Sequence, residues 1–167
     1  MKTEWNLEIL YKGFDDPAYV RDMEAIRESF GRLHALLEER PDPLTPEYVE
    51  KLFLTEEEGI KTFELLSIYT GLRQSVNTED GQCMAESAKQ SRIYSEAAGD
   101  FAAAEKLLGT IEDVDGFAEK SEVIAGYRYL VEEAKRNAKH LMSNEEESLY
   151  AAMDATGAAP GAICRSF

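Results

Sequence analysis

Apolar residues recur along this chain at alternating steps of three and four, the spacing that lines side chains up on one face of an α-helix. Asp16-Pro17 is a helix start: an N-cap carboxylate, then proline at the first helical position, where its missing amide hydrogen costs nothing. From there Tyr19, Met23, Ile26, Phe30, Leu33 and Leu37 form an apolar stripe that ends at Pro41-Asp42-Pro43. Thr45-Pro46 repeats the start signal, and no proline follows before Pro160. The second helix is therefore expected to be long, about 48 Å if unbroken to Asn77. Val49, Leu52, Phe53, Ile60 and Phe63 mark its first stretch. Leu65, Ile68, Tyr69, Leu72 and Val76 mark a second stripe rotated from the first, with Gly59 and Gly71 as the expected places for a bend.

Asn77 to Gly81 reads as a turn. From Gln82 to Leu108 the positions expected to face neighbouring helices are small (Ala85, Ala88, Ser91, Ser95, Ala98, Ala102), with Met84, Tyr94, Phe101 and Leu108 supplying bulk. Leu108-Gly109-Thr110 closes this third helix, and an acidic connection containing Phe117 follows. Val123, Tyr127, Leu130, Val131 and Ala134 predict a fourth helix, ending in a basic turn of Lys135, Arg136, Lys139 and His140. Ser143-Asn144-Glu145-Glu146 is a capping box for a fifth helix carrying Leu149, Tyr150 and Met153 and stopping near Gly157. Strand-like alternation and internal repeats are missing, so the pattern predicts an all-α fold, an antiparallel multi-helix bundle with long helices.

A length of 167 residues suits one domain with a sizeable core. The formal net charge of -15 argues against a nucleic-acid partner, whose phosphates need clustered Lys and Arg. Solubility is the simplest meaning of that charge. No run of eighteen apolar residues and no apolar leader segment occurs, so a cytoplasmic protein with no membrane partner is expected. Cys83 and Cys164 lack the spacing of a metal or redox pair and read as thiols in a reducing compartment.

Candidate chemistry is sparse. The chain has two histidines, His34 and His140, and no HExxH, the helical spacing that aims two imidazoles at one metal and a carboxylate at its water. Gly31 and Asn137 stand three residues before them, so the Glu-x-x-His ligand pair of di-iron bundles is also missing. His34 reads as a helix residue beside the apolar stripe and His140 as a helix-end residue near terminal carbonyls. In Glu56-Glu57-Glu58 and Glu145-Glu146-Glu147, consecutive residues point to different sides of a helix, so these read as solvated faces or first-turn charges. Gly157-Ala158-Ala159-Pro160-Gly161 lacks the context of a phosphate loop, and Cys83 reads as a packing thiol. The residues alone thus nominate no catalytic, cofactor-binding or metal-binding side chain.

Trp5-Asn6-Leu7-Glu8-Ile9-Leu10-Tyr11, followed by Phe14 and Asp15, resembles the opening of the oligoendopeptidase F group of M3 zinc metallopeptidases. Tyr127-Arg128-Tyr129-Leu130, His140-Leu141-Met142-Ser143, Glu145-Glu146-Glu147 and Thr156-Gly157-Ala158-Ala159 follow in that family's order, so the resemblance spans about residues 4–159. It implies a helical N-terminal lobe that roofs a channel, with HExxH and zinc carried by a separate C-terminal lobe. No residue of this chain matches the metal motif, so no catalytic residue is carried over and no cofactor is expected in this chain. Residues 160–167 depart from the family, and codons exist for them that spell a family-like continuation when read two bases later. An out-of-frame tail is one reading of them, with a deliberate boundary or a natural terminus as the alternatives.

The resemblance implies a truncated, non-catalytic lobe of a zinc-dependent enzyme that hydrolyses short peptides, inactive alone. Its expected partners are a separate catalytic lobe and a second copy held through an exposed apolar face, with peptides bound weakly at most. The alternative is a freestanding helical interaction and self-association module. Third comes a regulator that captures basic peptides on its acidic surface.

Overall fold

A computed structural model describes residues 6–138, and every regular element in that range is helical. A short 3₁₀ turn, Leu7–Ile9, leads into α1, Pro17–Glu38, whose N-cap Asp16 accepts the amide of Ala18. The predicted stripe of α1 is the buried one: Tyr19, Met23, Ile26, Phe30 and Leu33 are buried, while Leu36 takes the deeper place expected of Leu37. Next comes α2, Pro46–Val76, with Thr45 capping Tyr48. The helix runs uninterrupted through both Gly59 and Gly71. Gly59 is a point of close approach, because a Cβ there would lie 2.7 Å from Cε1 of Phe30. Ser29 on α1 donates to the Thr55 carbonyl and Tyr48 on α2 donates to the Leu36 carbonyl, so the two helices meet residue by residue in reversed order.

Beyond Gly59 the buried face of α2 keeps only Tyr69 of the expected stripe. Leu66, Tyr69 and Thr70 are buried, whereas Leu65, Ile68, Leu72 and Val76 are exposed, Val76 at 84 %. The cause is a polar network between helices that apolar spacing does not report. Gln90 on α3 donates to the Tyr19 hydroxyl at 3.0 Å and to Thr70 Oγ1 at 2.8 Å, and Thr70 in turn donates to the Leu66 carbonyl. Every member is satisfied, which turns two polar side chains into core residues. Burial pushes the Tyr19 hydroxyl up to about 12, so it stays protonated and accepts from Gln90 while donating to Glu86.

The third helix, α3, spans Gly81–Leu108 behind the N-cap Asp80. Its expected small-residue face is reversed: Ala85, Ala88, Ser91, Ser95, Ala98 and Ala102 are all exposed. The buried positions are Cys83, Gln90, Ile93, Ala97, Ala104, Leu107 and Leu108. In a helix this rich in alanine the larger side chains choose the face, and Ile93 and Leu107 sit on the other side from the Ala85 series. The acidic connection folds into two short helices, α4, Val114–Ala118, and α5, Glu122–Gly126, capped by Asp113 and Ser121. The fourth predicted stripe is split at Tyr127 between α5 and α6, Arg128–Ala138. There Ile124, Val131 and Ala134 are buried while Leu130 is 46 % exposed. Lys135 and Arg136 fall in the last turn of α6 as expected. The fifth helix, His140, Cys164 and residues 160–167 lie outside the described residues.

The core has two centres. One joins Tyr11, Phe14, Tyr19 and Tyr69, packed edge to face at 5.1 to 5.6 Å, with the Arg73 guanidinium 4.5 Å above Phe14. The other holds Leu33, Val49, Leu52, Leu107, Ile124 and Val131, and carries α4 to α6 against the long helices. Phe101 packs against both. No described helix is long and apolar enough to cross a membrane.

Candidate functional site

Three helices bring one face each to a groove of about 590 Å³. From α2 come Phe53, Glu56, Glu57 and Ile60, spaced so that all four share one side of the helix. The same spacing in α3 presents Phe101, Glu105 and Leu108, and α6 contributes Leu130, Glu133 and Ala134. Tyr127, at the break before α6, stacks on Phe53 with ring centroids 4.9 Å apart and planes 18° from parallel. The floor is apolar and four carboxylates stand around it.

The four carboxylates differ in their surroundings. Glu57 pairs with Lys61 at 2.5 Å and bonds the Tyr127 hydroxyl, contacts that hold its carboxyl below the usual range and push the Tyr127 phenol up. Glu105 accepts from Asn137 Nδ2 at 2.9 Å. At Glu56 burial alone pushes the carboxyl up, with no cation offsetting it. Glu133 lies half-buried on α6. Apart from these carboxylates and the Tyr127 hydroxyl the lining is apolar, an arrangement suited to binding through apolar contact and negative charge.

Glu56-Glu57-Glu58 only partly behave as separate solvated faces. Glu58 does point away, to Arg32 of α1 at 2.7 Å, but Glu56 and Glu57 both reach the groove because it is wide enough to take adjacent helix positions. The sequence held one signal for this site: Glu56, Glu105 and Glu133 each stand three or four residues from an aromatic or leucine that turns inward.

The other candidates stay apart from the groove. His34 Nδ1 lies 2.9 Å from Asp100 Oδ1 on the outside of the bundle, and this carboxylate raises the imidazole above its ordinary value. Cys83 is fully buried at the start of α3, its thiol donating to the Thr70 carbonyl at 3.1 Å and pushed up by burial, so it packs and does not react. His140, Cys164, Glu145-Glu146-Glu147 and Gly157 to Gly161 lie outside the described residues.

A catalytic zinc needs three protein ligands converging on one point. Among the described residues no three His, Cys, Asp or Glu side chains are so placed.

Residues 110–166 match the oligopeptidase F family model, which describes the N-terminal part of the M3 peptidases. The resemblance to the N-terminal region of the oligoendopeptidase F group therefore holds over that stretch. The chain matches no curated protein and no solved structure.

Proposed function

We propose that this chain is part of the helical, non-catalytic N-terminal lobe of a cytoplasmic M3 oligopeptidase and is inactive by itself. The match of residues 110–166 to the oligopeptidase F model carries the reading. An all-helical fold is in keeping with it, as is the lack of HExxH in the 167 residues. In such an enzyme zinc would activate the water that cleaves a short peptide, and the ligands for it would come from a catalytic lobe that these residues do not supply.

The stripe Leu65, Ile68, Leu72 and Val76 is the surface this lobe would offer to the remainder of such an enzyme, since four large apolar residues in helical register are exposed with no described element upon them. Left uncovered, it favours self-association.

The test is hydrolysis of a quenched fluorescent oligopeptide by the purified chain, with and without added zinc. No zinc-dependent cleavage is expected, and mixing with a separately produced HExxH-bearing lobe of an oligoendopeptidase F should raise that lobe's activity. Zinc-dependent turnover by the chain alone, lost with a chelator, would overturn the proposal.

A further inference from the structure

We infer that the groove between α2, α3 and α6 docks a basic amphipathic helix of another protein, apolar residues down and lysines or arginines against Glu56, Glu105 and Glu133. This goes beyond the peptidase reading and does not depend on it.

Shape gives the first argument. The groove is walled by helices, and its floor is formed by Phe53, Ile60, Phe101, Leu108 and Leu130, the surface into which an amphipathic helix lays its i, i+3, i+4 and i+7 anchors. Leu130 is 46 % exposed although α6 holds Val131 and Ala134 in the core, so an apolar side chain is left open toward the groove.

Charge gives the second and selects the occupant. Four carboxylates line the groove, and of these Glu57 is ion-paired with Lys61. Glu56, Glu105 and Glu133 stand beside Phe53, Ile60, Phe101, Leu108 and Leu130 around one groove, so an incoming ammonium or guanidinium meets carboxylates while the apolar side of its helix meets the floor. A second copy of this chain, at a formal charge of -15, brings this groove no excess of cations to match its carboxylates. The chain's own residues 139–167 carry Glu145, Glu146, Glu147 and Asp154 against Lys139 and Arg165, a balance on the side of the groove's own charge. A basic helix meets neither obstacle.

The experiment uses the full chain and a fluorescein-labelled Leu/Lys helix, LKKLLKLLKKLLKL, read by anisotropy. Saturable binding that weakens with added salt is expected. The triple variant E56Q/E105Q/E133Q should weaken it about tenfold or more, while E24Q/E28Q/E79Q, equal in charge change but on exposed residues outside the groove, should change it less than about threefold. Leu130→Lys, at an exposed position that the fold tolerates, should abolish it and guards against misfolding of the triple variant. Equal losses in the two triple variants would overturn the inference, since attraction would then be diffuse. So would equal binding of LEELLELLEELLEL, in which glutamates replace the lysines. Sedimentation showing a dimer that the groove variants dissociate would assign the groove to a second copy. A cross-link between the groove and residues 139–167 in a monomer that ignores the peptide would assign it to the chain's own residues.

Discussion

Replacing Gly59 with alanine puts the packing of α1 on α2 to a quantitative test. An alanine gains helix propensity over glycine, worth about 1 kcal/mol in an interior position. At Gly59 the added Cβ would stand 2.7 Å and 2.9 Å from two ring carbons of Phe30 and 3.0 Å from Ser29 Oγ. The ring has little room to retreat: Phe30 is buried and meets Phe101 edge to face at 5.3 Å. Ser29 is tied to the Thr55 carbonyl at 3.0 Å. Overpacking of this kind costs about 1–3 kcal/mol, so the propensity gain is cancelled or exceeded and Gly59→Ala should destabilise by up to about 2 kcal/mol. Gly71, in the same helix, is exposed with nothing within 4 Å of its built Cβ. Gly71→Ala should therefore stabilise by about 0.5–1 kcal/mol. Thermal and urea unfolding followed by circular dichroism read both, and about 2–4 °C of shift per kcal/mol is expected at this size. If Gly59→Ala stabilises as much as Gly71→Ala, the close approach of the two helices is wrong.

Three further outcomes follow from the packing and the charges. Gln90→Ala should cost about 2–3 kcal/mol by urea unfolding, because it removes the donor to Tyr19 and Thr70 and leaves a gap, and Gln90→Leu should cost less; equal, negligible losses would contradict the network. Since burial raises the Glu56 carboxyl, the fold holds its proton more tightly than the unfolded chain does, and that contribution is present below the ordinary carboxylate range and lost as pH rises through the raised value. Glu56→Gln should then raise the unfolding temperature at neutral pH and leave it nearly unchanged in acid; the reverse order would refute the burial. His34 should titrate by NMR above the ordinary histidine value and fall back in Asp100→Asn, its pairing being present at low pH and lost as pH rises; an unaltered titration in that variant would remove the contact.

How far the fold can be read from the sequence depends on how distinct its helix faces are. The stripe of α1 was legible because Tyr19, Met23, Ile26, Phe30 and Leu33 are large, evenly spaced and flanked by charge. The second half of α2 offers two candidate faces one residue apart, and Leu65, Ile68, Leu72 and Val76 are the more apolar of them. Tyr69, also in that stripe, is buried, but its buried companions are Leu66 and Thr70, because Gln90 arrives from α3 with hydrogen bonds that no periodicity encodes. In α3 alanine occurs on every side, so small size did not identify the packed face. The groove was legible only in part: Glu56, Glu105 and Glu133 each stand one turn from a large apolar residue, but nothing in the spacing joins them until the three helices are assembled around Phe53 and Tyr127.

The peptidase reading meets its most direct test in the gene itself, sequenced from the codon for Gly157 through roughly the length of a catalytic lobe, on the order of the one to two hundred codons of a domain or more. The account predicts an HExxH motif within helix-coding sequence, in this frame or a shifted one. Downstream DNA that encodes no such motif in any frame would contradict it and leave a freestanding helical domain whose partners remain to be found.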